Sequence, residues 1–375
     1  MSRTMRILKK PITCTLISIF FGFLFASVIL KFTGYNPIQC MTVIFNAIFS
    51  RPKFITNVII KSTPIILTGL SVAFAFKTGL FNIGAEGQYI AATIASTVVG
   101  IIFDLPAVLQ VPLVVLSGVF AGAVWGAFIG FLKAKFGIHE VITSIMLNWI
   151  TLYLCNYVVN TEMFHQPESN STYPINKSGL TMILYDWKFS ENGQEVLKNN
   201  QLLNDILLKT DLNVGFLIAV IAAIVVSVVL YKTSKGYELR AVGLNAHAAK
   251  YAGISVNKSI MYSMIFAGAL SGLAGALSVT GSSAHSIHVL SMFENNGFNG
   301  LAVALIAGSS PLGCIFSGLM FSGLIYAGQS LQFKVGAPSE IVNIMIGIIV
   351  FFVALTQIIP VLVDRFTRRR HENAK

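Results

Sequence analysis

The feature that most limits what this chain can become is a series of apolar runs, free of charge except for Lys61 near the start of one, each about 20 residues, the length an α-helix needs to cross the hydrocarbon of a bilayer. The runs are Ile12 to Leu30, Ile59 to Phe76, Gln88 to Phe103, Ala107 to Leu132, Val141 to Val159, Leu212 to Tyr231, Ser259 to Gly281 and Ile341 to Val363. Between Asn295 and Phe333 a further charge-free stretch is long enough for two crossings, and Ser309, Ser310, Pro311 and Gly313 divide it into two helices joined by a tight turn. Transmembrane strands would need segments of about 10 residues with alternating polarity, which these runs lack. Only 11% of the residues are charged and 55% are hydrophobic, far from the roughly one quarter charged of soluble domains. The expectation is an all-α membrane protein: a polytopic bundle of about ten transmembrane helices, forming a single transmembrane domain over residues 1–375.

The basic segment MSRTMRILKK has the look of a signal-peptide start, but the run behind it is long for one and no small-residue cleavage site follows, so an uncleaved first helix is expected. The net charge of +11 is not a nucleic-acid footprint, because the basic residues cluster at the ends of apolar runs and in short loops. They orient the chain instead. Residues 160–211 hold Lys177, Lys188, Lys198 and Lys209 against seven acids, whereas Lys232 to Lys258 hold five basic residues against Glu238 alone. The positive-inside bias makes the first loop extracytoplasmic and the second cytoplasmic. An even number of crossings then puts both termini, Lys133, Lys135 and the RFTRRR tail on the cytoplasmic side. Cys14, Cys40, Cys155 and Cys314 are scattered and suggest neither a disulfide framework nor a zinc site. His285 and His288 have no third ligand nearby and read as ordinary surface at a membrane edge, so no metal site is expected.

One stretch breaks the apolar pattern. In GLFNIGAEGQYIAATIAS, Gly79 to Ser96, the residues Asn82, Glu86 and Gln88 fall close together among Gly79, Gly84 and Gly87. Unwound backbone within a membrane is tolerated only where protein buries it or it lines a water-filled cavity, so this island must face inward. The glycines permit a chain break, and the polar side chains stand at the start of the next helix, where its amides add partial positive charge. Broken helices near the midplane are how transporters build substrate sites. A second island, Glu294-Asn-Asn-Gly-Phe-Asn-Gly300, precedes LAVALIAGSS much as NIGAEG precedes QYIAATIAS. The charge rule sends the span before the first island inward and the span before the second outward, the pattern of an inverted repeat with broken helices in corresponding places. Asn82, Glu86, Gln88, Phe298 and Asn299 are therefore the candidate substrate pathway. Glu86 is expected to act as a hydrogen-bonding structural group, so that Gln would preserve most of its role and Ala would not.

The loop at 233–259, TSKGYELRAVGLNAHAAKYAGISVNKS, has a helix-sized centre at Asn245 to Ala252 with Gly253 after it. A short amphipathic helix there would present Leu244, Ala248 and Tyr251 or Ala252 to a partner's groove. No phosphate loop, zinc-protease or nucleophile-elbow motif occurs, so the chain is not expected to be an enzyme.

GLFNIGAEGQ, ELRAVGLNAHAAKYAGI and NGFNGLAVALIAGSSPLG together resemble the permease subunits of ATP-binding-cassette (ABC) importers in the branched-chain amino acid, ribose and nucleoside permease family, most of all its nucleoside branch. The resemblance runs from about Thr63 to Thr356, and its first and third motifs are fairly specific. It implies import of a nucleoside or similar small polar solute, and no cofactor in this chain, since ATP and Mg belong to a partner ATPase. It implies as partners that ABC ATPase, a second permease subunit in a homo- or heterodimer, and an extracytoplasmic substrate-binding lipoprotein, all at a bacterial cytoplasmic (inner) membrane and its lipid, with no nucleic acid. The cytoplasmic loop becomes the coupling helix, with Arg240, Gly243, Leu244, Asn245, Ala248, Tyr251 and Gly253 as its coupling residues. The family pattern leads us to expect aspartate where this chain has Asn299. The readings weighed against this one are a simple-sugar ABC permease and a self-sufficient carrier coupled to protons or cations through Glu86.

Overall fold

The structure, a computed structural model, describes residues 11–282 and 284–355. The basic N-terminal segment, the RFTRRR tail and the end of the run from Ile341 to Val363 lie outside the described residues. The principal helices are α1 (Pro11–Phe32), α2 (Pro37–Phe49), α3 (Pro52–Lys77), α4 (Ala85–Ile102), α5 (Ala107–Phe136), α6 (Glu140–Val159), α7 (Gly215–Lys232), α8 (Ser234–Leu244), α9 (Ala246–Tyr251), α10 (Val256–Gly281), α11 (Asn296–Ile306), α12 (Pro311–Val335) and α13 (Ser339–Ala354). Extended structure among the described residues is confined to isolated bridges. Seven of these helices, α3 to α7, α10 and α12, are long and apolar enough to cross a membrane, and α1, α2, α11 and α13 contribute shorter apolar segments. The chain is an all-α polytopic membrane protein.

Every apolar run read from the sequence has a helix within it, and one apolar helix lies outside those runs. α2 has 13 residues, too few for a full crossing, and begins at Pro37 with the Asn36 side chain accepting from the Ile38 amide at 3.0 Å. The chain packs as two units, residues 1–50 with 323–375, and residues 51–322. In the first, α1 runs antiparallel to α13: the Tyr35 hydroxyl donates to the Gly336 carbonyl at 3.2 Å, and the rings of Phe25 and Phe352 are 4.6 Å apart.

The second unit is built on the contact of α5 with α10. In lipid, apolar side chains gain little by leaving hydrocarbon, so helices associate where small residues let their backbones approach. α5 carries Gly118, Gly122, Gly126 and Gly130 along one face, and α10 answers with Gly268 and Gly272. A Cβ on Gly122 would overlap the Gly268 carbonyl, and one on Gly268 would overlap that of Gly122. α4 closes on the same seam: the Tyr89 hydroxyl donates to Ser278 at 2.8 Å.

Residues 160–211 form a folded cap at one end of this unit, while 233–259 occupy the other end. The cap pairs with the connector between α10 and α11 through Thr172 N to Ile287 O (2.9 Å), Ile175 N to His285 O (2.8 Å) and Val289 N to Asn170 O (2.9 Å). His285 is buried within it rather than lying on the surface, and His288 is exposed. Burial holds the His285 imidazole below the usual histidine range. Among the described residues, no cluster of three His, Cys, Asp or Glu side chains could hold a metal.

The helix seam yields a direct test. Gly268→Val inserts a branched side chain where two backbones touch, a clash of the kind that costs about 1–3 kcal/mol or more. The variant should melt several degrees below the parent in detergent, whereas Gly347→Ala, with nothing within 4 Å of a new Cβ, should melt with the parent.

Candidate functional site

The first island is a short break, Thr78 to Gly84, between α3 and α4. Gly79 alone of its three glycines takes the left-handed conformation, at φ +75°. Gly84 has helical angles at the N-cap of α4, and Gly87 lies inside the helix. Gly87 is there for close packing, since its amide donates to Asn148 Oδ1 of α6 at 2.8 Å. Asn148 in turn donates to the Ile83 carbonyl at 3.1 Å, so one side chain ties both edges of the break. Asn82 donates to Gln88 Oε1 (2.9 Å) and Ser71 Oγ (3.0 Å), and Gln88 returns a bond to Asn82 Oδ1 at 3.3 Å. Asn82, Glu86 and Gln88 all have no exposed surface.

Glu86 reaches across to the second island. Its Oε1 accepts the Asn295 amide at 2.8 Å and its Oε2 the Gly297 amide at 2.5 Å, with the Phe298 amide close behind. Asn295 is the N-cap residue of α11, in a left-handed conformation at φ 65°, so the carboxylate caps amides that the helix leaves unpaired. A negative group also suits the positive end of the helix dipole. Gly297 makes the approach possible, because a Cβ there would overlap the Glu86 backbone. The Thr68 hydroxyl of α3 donates to the Asn296 carbonyl at 2.9 Å. The two islands noted in the sequence are thus one joint.

Phe298 and Asn299 emerge from that joint on the first turn of α11 and are half-buried. Around them stands a group of rings that sequence reading did not single out. Trp149 packs edge-on against Phe293 at 4.9 Å, Phe293 against Phe298 at 5.7 Å, and Trp149 lies nearly parallel to Tyr153 at 6.1 Å. Trp149 and Tyr153 sit in an apolar run, where aromatic residues are unremarked. Only their spacing of four, which places both on one face of α6, hinted at a pair.

At the 233–259 end the loop is two helices rather than one. α8 ends at Leu244; Asn245 then caps α9, its Oδ1 accepting the Ala248 amide at 3.0 Å, and Gly253 closes it at φ +82°. Leu244, Ala248 and Tyr251 point outward, with Leu244 89% and Tyr251 95% exposed. Arg240 and Gly243 turn back onto the chain. Arg240 Nε donates to the Leu230 carbonyl at 3.0 Å, and its guanidinium lies 5.3 Å from the Tyr231 ring centre. A Cβ on Gly243 would overlap the Lys77 carbonyl at the end of α3.

Comparison with known proteins places this architecture. Residues 54–354 match the family described as branched-chain amino acid transport system / permease component. The chain belongs to this family. Over 355 residues, 94% of this chain and 96% of the relative, the permease is 36% identical to the guanosine ABC transporter permease protein NupP of Bacillus subtilis. It is also 36% identical to the nucleoside ABC transporter permease protein NupB of Lactococcus lactis, over 95% of this chain and 94% of that one. The glucose ABC transporter permease protein TsgB13 of Haloferax volcanii is 28% identical over 86% of this chain and 81% of its own. The permease is thus a transport component, not an enzyme, and the family implies ATP-driven transport with a partner ATPase and a substrate-binding partner.

The bonding at Glu86 revises the expectation for Gln. A carboxylate accepts with both oxygens, whereas an amide offers one acceptor and would turn an NH2 group toward a backbone N–H. An unsatisfied buried group costs about 1–3 kcal/mol. Glu86→Gln should therefore lower the melting temperature measurably, and Glu86→Ala, which leaves both amides bare, should lower it further. Equal melting of Gln variant and parent would show that the joint does not depend on two acceptors.

Proposed function

We propose that the permease forms the translocation pathway for a nucleoside across a bacterial cytoplasmic (inner) membrane. In this reading a second permease subunit completes the pathway, homo- or heterodimeric, with membrane lipid around the rest. The observation that carries the nucleoside reading is the near full-length similarity to guanosine and nucleoside permeases at 36% identity, against 28% to a glucose permease. Asn82, Glu86 and Gln88 shape the pathway by holding the break closed around the start of α11, and Phe298 and Asn299 line it. A simple-sugar substrate fits the polar groups, but the aromatic wall of Trp149, Phe293 and Phe298 favours a solute with a flat ring.

The 233–259 loop is the proposed docking site for the ATPase, where ATP and Mg are bound. The geometry divides its residues between two tasks. Leu244, Ala248 and Tyr251 face outward and suit a partner's groove; Asn245 and Gly253 shape α9; Arg240 and Gly243 fix the loop to the ends of α7 and α3. A carrier acting alone has no use for two large exposed apolar side chains on a polar loop. The cap at 160–211 is proposed as extracytoplasmic and as the face that receives the substrate-binding lipoprotein, with both termini cytoplasmic.

Leu244 and Tyr251 give the clean test of coupling, because their exposed side chains leave the fold independent of them. Leu244→Asp and Tyr251→Asp should abolish ATP-driven guanosine uptake and co-purification of the ATPase while the variants melt with the parent. Uptake at the parental rate in both would overturn the docking assignment. Orientation is tested in a background free of Cys14, Cys40, Cys155 and Cys314. Glu191→Cys should react with an impermeant thiol reagent in intact cells and Asn245→Cys should not; equal labelling would reverse the conclusion.

A further inference from the structure

Halfway along α6 the surface of the second unit carries a combination that hydrocarbon does not accept. Trp149 is the tenth of the 20 residues of α6, and the ring of Phe293 rests against it. The next residue, Glu294, is exposed, and its Oε2 accepts from Asn296 Nδ2 at 3.1 Å. Its carboxylate lies near enough to Glu86, Tyr89 and Cys155 to act on them electrostatically. Both oxygens of Glu86 are taken up by backbone amides at the start of α11, so Glu294 is a second carboxylate at this depth, joined to α11 through the Asn296 side chain rather than through its amides. An ionisable side chain at the level of a helix midpoint faces the bundle interior or a water-filled path rather than lipid. Trp149 and Tyr153, 46% and 64% exposed, open onto the same side.

An exposed carboxylate beside exposed rings has a defined recognition chemistry. The carboxylate is an acceptor only, with about four lone-pair sites, and pairs with neighbouring O–H donors; the rings take the π-face of a base irrespective of its identity. Resting on the nucleoside reading above, we infer that Glu294 accepts the vicinal ribose hydroxyls of the passing solute while Trp149, Phe293 and Phe298 hold its base. The site discriminates by sugar hydroxyls and tolerates different bases, and it needs no bound ion.

The test uses the complete transporter in proteoliposomes, with maximal uptake rates for guanosine and for 2′,3′-dideoxyguanosine. The binding protein contributes the same factor in parent and variant, so the quantity read is the change in the ratio of the two rates. Glu294→Gln should reduce that ratio by about tenfold, the size expected of a lost charge-assisted hydrogen bond, chiefly by slowing guanosine. Trp149→Ala should slow both solutes alike, and Trp149→Phe should restore both. An unchanged ratio in Glu294→Gln overturns the assignment, and so does an equal loss of both solutes in that variant. Glu294→Asp guards against misfolding, since it keeps the acceptor and should keep at least part of the preference; its loss together with a parental melting temperature also counts against the proposal. A parent complex that imports neither nucleoside overturns the substrate reading itself, a result distinct from loss of the preference alone.

Discussion

A buried carboxylate capping the start of a helix that begins inside the protein is the contact on which the joint between the two islands depends. α11 has 11 residues, about half the length needed to cross hydrocarbon, so its first amides fall where no water is assured. Left bare, each of those amides would carry the full penalty of a buried polar group without a partner. Glu86 removes that cost with both oxygens, and Gly297 lets the two backbones come close enough for it to do so. The other features of the island serve this contact. Asn82 and Gln88 pair with each other, and Asn148 binds both edges of the break, so the carboxylate is held in one place.

The same logic explains what sequence reading could and could not find. Apolar runs are legible because the bilayer sets their length, and all of them contain helices. α2 escaped because 13 residues fall below that length, and its apolar character competes with the charged Arg51 and Lys53 just beyond it. The islands were legible as polar residues out of place, but their direct contact was not, because no sequence pattern links Glu86 to an amide 211 positions away. Two of the three glycines assigned to the chain break serve close packing instead, a distinction carried by backbone angles alone. Trp149 and Tyr153 were hard to see for the opposite reason: aromatic residues in an apolar run carry little signal, and Phe293, in the connector before α11, gains meaning only when the fold brings it beside them.

The loop at the other end differs in kind. Among its outward residues Leu244 closes α8, and Ala248 and Tyr251, three apart on α9, were readable from helical spacing. Its inward residues were not, since an arginine and a glycine in a polar loop look the same whether they meet a partner or their own chain. Arg240 spends its guanidinium on the last turn of α7, where carbonyls lack helix partners, and Gly243 gives up its side-chain space to the end of α3.

That last contact links the loop to the first island. Gly79, the first glycine of the island, has Gly243 as its nearest neighbour outside its own segment, at 3.2 Å from its ideal Cβ position. Three residues further on, Asn82 enters the bonds that fix Gln88 and the first turn of α4, and that turn carries Glu86. The path from loop to half-helix is therefore short, made of backbone contacts and of the buried, hydrogen-bonded side chains of Asn82, Gln88 and Glu86. Close-packed interiors shift between discrete arrangements rather than deforming continuously. A displacement of the loop that moves Gly243 must either break its contact with the end of α3 or carry Gly79 with it, and the second course acts on the joint at which the amides of α11 are held.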